Sequence, residues 1–176
     1  IAPVAGTADE INSASPSVIG VAAWAQTGEN IDEAWKLVVT DCTIRTNGFA
    51  VFDRWNNATY TNTTFTGLEG VEGLDDIEVK TCYMALNNPH ANDVTYDHCT
   101  FRNMRSWGML VAGEELTVTD CTFDGTNQSC AISVAYGTID KCTITGNTFD
   151  LSGSGSGIMF SDAVTETSTI TVADNT

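Results

Sequence analysis

Seven stretches of the chain share one short phrase, and five of them carry cysteine at the same place. The shared place falls on Cys42, Thr63, Cys82, Cys99, Cys121, Cys142 and Asn175, in steps of 21, 19, 17, 22, 21 and 33 residues. Self-similarity at a period of about 20 residues is the mark of a solenoid, in which each unit buries its apolar face only against its neighbours. Few other features restrict a fold so strongly.

With the shared place as position zero, four columns line up. Position −5 reads Leu37, Ala58, Ile77, Val94, Leu116, Gly137 and Ile170. Position −3 reads Val39, Tyr60, Val79, Tyr96, Val118, Ile139 and Val172, and position +2 reads Ile44, Phe65, Met84, Phe101, Phe123 and Ile144. Steps of two follow the strand period and keep one side apolar. The step of three from −3 to zero breaks that alternation and requires a bend. At −1 stand Asp41, Asn62, Thr81, His98, Asp120, Lys141 and Asp174. Asp and Asn tolerate the left-handed backbone of a one-residue corner. A further strand, usually opened by glycine, follows at Gly48–Val51, Gly108–Val111 and Gly157–Phe160, with a looser version at Ala131–Val134 and an incomplete early coil at Gly20–Ala23.

This pattern predicts an all-β chain, a single-stranded parallel β-helix of about seven coils. A β-sandwich also has short strands at regular intervals, but it would not hold one column in phase through the repeats. Over residues 18–176 the phrase resembles the right-handed parallel β-helix of the pectate-lyase-like superfamily. The resemblance implies a right-handed solenoid and relatives that process polysaccharides. It also implies that position zero can carry a stack of Asn, with Asn175 as this chain's example.

One domain spans 1–176, with 1–36 as an irregular first coil or cap and 37–176 as regular coils. Only Ile31–Lys36 reads as helical. Thr176 stops a phrase before its +2 residue, leaving an open rung edge of the kind that pairs with another chain. We therefore expect a piece of a longer protein, with further coils or a partner chain completing that rung.

The 23 acidic and 7 basic residues give a net charge of −16, which argues against duplex nucleic acid as a partner. No run approaches the ~18 apolar residues of a membrane span, so membrane insertion is not expected. The surface suits a secreted or cell-surface protein. Six cysteines in such a setting invite a disulfide framework. The repeat instead places Cys82, Cys99, Cys121 and Cys142 on consecutive coils at one inward position, as buried thiols packing like small apolar residues. Cys130 lies off this ladder and is the candidate for a reactive or paired thiol.

Outward columns bring distant residues together. Position +1 is rich in threonine: Thr43, Thr64, Tyr83, Thr100, Thr122, Thr143 and Thr176. Strand propensity accounts for this; ice binding is the alternative and requires a second clean column, which position −2 does not supply. Lys80 and Asp97 fall at −2 with His98 beside them, either a proton-abstracting group for a uronic sugar or an ordinary surface ion pair. Asp53, Arg54, Trp55, His90, Arg102, Arg105, Trp107, Glu114 and Tyr136 lie in loops or strand exits. Aromatic faces beside charged groups are what a sugar groove uses, although a tryptophan at a corner can equally cover the core. Asp75, Asp76 and Glu78 offer oxygen ligands to calcium, or form a solvated acidic turn; no other cofactor is implied.

Catalytic signatures are incomplete. Of the polygalacturonase set only Asp75-Asp76 is present, and Asn88-Pro89-His90 with a distant Tyr83 departs from the alginate-epimerase pattern. The expected function is polysaccharide recognition or processing by an extracellular β-helix through an outward-facing groove, as a lyase, hydrolase or epimerase if catalytic. The alternative is a structural or adhesive segment, with ice binding behind both.

Overall fold

A computed structural model describes residues 19–23, 37–45, 49–53, 58–66, 82–87, 93–102, 104–112, 114–124, 130–134, 138–151 and 155–176. Its strands form three parallel sheets wound around one core. The first sheet runs β1 (Ile19–Ala23), β4 (Phe49–Asp53), β7 (Cys82–Asn87), β10 (Met104–Ala112), β13 (Cys130–Val134) and β16 (Ser156–Phe160). The second runs β2 (Leu37–Thr40), β5 (Ala58–Thr61), β8 (Val94–Asp97), β11 (Glu115–Thr119), β14 (Ile139–Thr145) and β17 (Val164–Ala173). The third is β3 (Thr43–Arg45), β6 (Thr64–Thr66), β9 (Thr100–Arg102), β12 (Thr122–Asp124) and β15 (Thr148–Asp150). Successive coils contribute one strand to each sheet in turn, except that the last, with β16 and β17, adds none to the third, so the parallel β-helix expected from the repeat is what forms. Ile31–Lys36 lies outside the described residues.

The pairings correct two of the seven aligned phrases. Ala58 pairs with Val94 and Thr61 with Asp97, so the coils of Thr63 and Cys99 are direct neighbours. Cys82 belongs to the first sheet, where it is the partner of Met104. Cys142 pairs with Leu116, and Thr122 pairs with Thr148. Asn147, not Cys142, therefore continues position zero. The inward ladder runs Cys42, Thr63, Cys99, Cys121, Asn147, Asn175. Cys142 is buried all the same, in the −5 column with Ala58, Val94 and Leu116.

Correct register makes the core columns cleaner than the sequence alignment. Position +2 becomes Ile44, Phe65, Phe101, Phe123 and Phe149. Their rings stack coil on coil, 5.1 Å from Phe65 to Phe101, 4.6 Å to Phe123 and 5.0 Å to Phe149. Tyr60 and Tyr96 stack at 4.7 Å in the −3 column and meet the phenylalanines edge-on. Such aromatic pairs add to simple area burial. On β13 every position is buried, Ser133 included, and the Ser133 hydroxyl has no partner among the described residues.

The corner explains what position zero requires. Asp41, Asn62, His98, Asp120 and Asp174 all have φ between 48° and 56°, and Gly146 has 70°. This left-handed residue turns the chain from the second sheet into the third, and its amide donates to the −2 carbonyl of the next coil, as Asp41 N does to Thr61 O and His98 N to Thr119 O. Position zero gives the −2 carbonyl of its own coil a side-chain donor: Cys42 Sγ donates to Thr40 O, Thr63 Oγ1 to Thr61 O, Cys99 Sγ to Asp97 O, Cys121 Sγ to Thr119 O and Asn147 Nδ2 to Thr145 O. The column therefore selects short side chains that donate a hydrogen bond, which unites Cys, Thr and Asn. Cysteine here is more than a small apolar filler. Cys42, in the first described coil of this column, is exposed; Cys99 and Cys121 are buried.

Gly146 sits in this corner for two reasons. Its φ is left-handed, and a Cβ built on it would fall 2.3 Å from Asp120 Oδ1. Gly146→Ala should destabilise the protein by about 1–3 kcal/mol, measured by chemical denaturation. Combining it with Asp120→Ala should recover the steric part only. A neutral Gly146→Ala would contradict this account of the corner.

Candidate functional site

Outward residues of the coils of Cys99 and Cys121 form a polar cluster. It starts at the corner. The left-handed turn at His98 and Asp120 throws both side chains outward on adjacent coils, and Asp97 precedes His98 at the end of β8. One ligand-type atom from each of Asp97, His98 and Asp120 lies within 4.8 Å of the others. Asp97 Oδ1 accepts from Thr119 Oγ1 at 2.8 Å and lies 2.9 Å from His98 Nδ1. The third sheet extends the strip, because Arg102 and Asp124 are register partners. Arg102 Nε meets Asp124 Oδ2 at 2.9 Å, with both side chains substantially exposed. An exposed pair of this kind contributes only about 0–1 kcal/mol to stability, so its donors and acceptors can be exchanged for a ligand's at low cost. Between the two charged groups run Thr100 and Thr122, paired across the same coils.

Several expected site residues are placed differently. Asp97 stands between Thr61 and Thr119 in its column. The neighbouring place in that column expected for Lys80 is thus taken by Thr61. Lys80 itself, with Arg54, Trp55, Asp75, Asp76, Glu78, His90 and Tyr136, lies outside the described residues. Asp53 ends β4, and Arg105 and Trp107 lie on β10, where Trp107 is the backbone partner of buried Cys130. Glu114 precedes β11, and its carbonyl accepts from the Asp140 and Lys141 amides at 2.7 and 3.0 Å. Glu115, beside it, faces Lys141 at 3.8 Å.

Two charged residues of the strip, Asp120 and Asp124, were not singled out by sequence. Their signal was present: Asp120 is a corner residue like His98, and Asp124 follows a phrase as Arg102 does. The corrected register also completes the +1 column. Thr43, Thr64, Thr100, Thr122 and Thr148 are successive partners, and Thr176 reaches Thr148 Oγ1 at 3.5 Å. Tyr83 and Thr143 do not belong to it.

Among the described residues, the buried cysteines offer no nucleophile at the strip. Cys130 is buried, donates to Ile132 O at 2.9 Å, and burial pushes its thiol up to about 11. The reactive role expected for it fails, since attack needs an accessible thiolate. Burial likewise raises Cys142 to about 12. A hydrogen bond between the Cys99 and Cys121 thiols holds Cys121 above the ordinary range, with burial adding to it, and Cys99 below. Both are sealed in the ladder.

The model of the family described as the right-handed β-helix region matches residues 21–176. The chain belongs to the right-handed β-helix family. The match spans the three stacked sheets. No curated protein and no solved structure matches the chain. For this β-helix, function has to be argued from the residues that decorate its coils.

Proposed function

We propose that this β-helix is an extracellular carbohydrate-recognition domain whose binding strip runs over the coils of Cys99 and Cys121. The observation that carries the reading is the convergence of Asp97, His98, Asp120, Arg102 and Asp124 on two adjacent coils. Sugars present adjacent hydroxyls that both donate and accept. Carboxylates accept hydrogen bonds from these hydroxyls, while a guanidinium and an imidazole N–H donate to their oxygens. The threonines at Thr100 and Thr122 add hydroxyls between the charged groups. Coils stack about 4.8 Å apart, so the strip offers an extended polymer similar contacts at regular intervals. The acidic balance of the chain, −16 overall, favours a neutral or cationic polysaccharide over a uronic one. Fold-level analogy points the same way, as analogy only.

The test is a glycan array probed with the native chain and with His98→Ala and Arg102→Ala. Each substitution should weaken the bound glycan at least tenfold, equivalent to about 1.4 kcal/mol, while circular dichroism and melting stay native-like. Absence of any bound glycan, or equal binding by both variants, would sink the reading.

A further inference from the structure

The second sheet carries a plane that the carbohydrate reading uses only at Asp97. Four residues before the ladder, successive partners are Val38, Thr59, Thr95, Thr117, Thr143 and Thr171. Two residues before it they are Thr40, Thr61, Asp97, Thr119, Thr145 and Ala173. Threonine thus fills the first column on β5, β8, β11, β14 and β17 without interruption. It fills the second except at Asp97 and Ala173. In a sequence-only alignment this pair of columns was hidden, because the two misplaced phrases put Lys80 and Asp140 into it.

Three features set the plane apart from an ordinary polar sheet. Charge is nearly absent from it, although the chain carries 23 acidic residues, and its one carboxylate already accepts from Thr119. Among the described residues, the hydroxyls of Thr59, Thr95, Thr117, Thr143 and Thr171 take no protein partner. The lattice is also firmly backed. Tyr60, Tyr96, Val118 and Ile144 are fully buried directly beneath it, and the only register shift between β14 and β17 falls between Ile139 and Lys141, before the columns begin.

We propose that this plane binds the surface of ice. Side chains repeat at about 4.8 Å across the strands and roughly 6.6 Å along them, close to the two repeats of a face of hexagonal ice. Threonine is β-branched and stiff about χ1, so its methyl and hydroxyl recur in the same orientation. The methyl rows keep intervening water from turning toward the protein, while the free hydroxyls anchor it at the lattice spacing. Water held in that pattern can merge with a growing ice face. A polysaccharide is a poorer occupant of this plane, which has no aromatic side chain to stack on a sugar ring and one carboxylate to orient it. The plane meets the carbohydrate strip at Asp97, which accepts from Thr119, but Thr59, Thr95, Thr117 and Thr143 are not residues of that strip, so the variants tested at Thr117 and Thr143 separate the two readings.

The experiment grows ice slowly from a dilute solution of the chain, then measures protein incorporated into the ice and the gap between melting and freezing points. The native chain should enter the ice and open a freezing gap. Thr117→Tyr combined with Thr143→Tyr should cut incorporation at least tenfold. Thr117→Ser, which keeps the hydroxyl and removes only a methyl, should cut it severalfold and guards against misfolding as the cause. Met159→Tyr, an exposed position on the first sheet, should change nothing. Exclusion of the native chain from ice, or full incorporation of the tyrosine variant, overturns the proposal. Loss of glycan binding by Thr117→Ser with no effect on ice does so equally, by assigning the plane to sugar.

Discussion

Phe101→Ala is expected to cost about 3–5 kcal/mol, the range for emptying a buried aromatic site. Phe101 is fully buried and sits mid-stack. Its ring lies on Phe65 and Phe123 and meets Tyr96 edge-on at 5.9 Å. Alanine would leave a hole with rings above and below it, held apart by the coil spacing of the sheets. Those rings cannot close the gap without breaking strand pairs, so relaxation is limited. In a solenoid, stability is nearly a sum of units and nearest-neighbour interfaces. Damage to one central interface should therefore also reduce cooperativity. Chemical denaturation should show a lower midpoint and a broader transition. Phe149, at the last described position of the stack and only half-buried, should cost less when truncated. Equal losses at the two positions would contradict a stack whose strength depends on having neighbours on both sides.

Asn147→Ala should cost about 1–3 kcal/mol, for a different reason. Its side-chain oxygen accepts from the Cys121 amide at 2.9 Å, and its Nδ2 donates to Val118 O at 3.0 Å and Thr145 O at 3.1 Å. Asn147 is buried, so alanine would strand the Cys121 amide away from water, at about 1–3 kcal/mol for a buried group left unsatisfied, while Thr145 O would keep the Asp120 amide. Thr63 holds the equivalent place two coils before Cys121 and returns a hydroxyl to Thr61 O. Asn147→Thr should accordingly recover part of the loss and Asn147→Cys a similar part. Hydrogen exchange at the Cys121 amide, accelerated in Asn147→Ala, locates the damage. A cost below about 1 kcal/mol would remove the inner ladder from the account of stability.

Much of the fold was legible because the phrase carries both alternation and its interruption. Cys42, Thr63, Cys99, Cys121 and Asn175 were in true register, and the corner backbone predicted from Asp and Asn at −1 is present at Asp41, Asn62, Asp120 and Asp174. Cys82 and Cys142 went astray because a cysteine between apolar residues imitates the phrase. The distinguishing mark lay one residue earlier. Thr81 and Lys141 are poor left-handed residues, whereas Gly146, followed by Asn147, Thr148 and Phe149, meets every demand of the corner. The residues of the charged strip were less legible. Asp97, His98 and Arg102 could be named, but not their partners Asp120 and Asp124 on the adjacent coil.

By itself the sequence determined the inward faces, the corner and the family, since these depend on contacts within one phrase and on the period between phrases. Only the tertiary structure decided which outward residues are neighbours. The reason lies in the loops between coils. Lengthening a surface loop adds little to its closure entropy, only about 0.6 kcal/mol per doubling, so coils of very different length stack in the same register. Sequence distance then ceases to report which coil lies above which. The coil of Thr63 meets that of Cys99 across a long excursion, and Thr117 meets Thr143 rather than Thr138. The threonine plane and the charged strip both follow from that stacking.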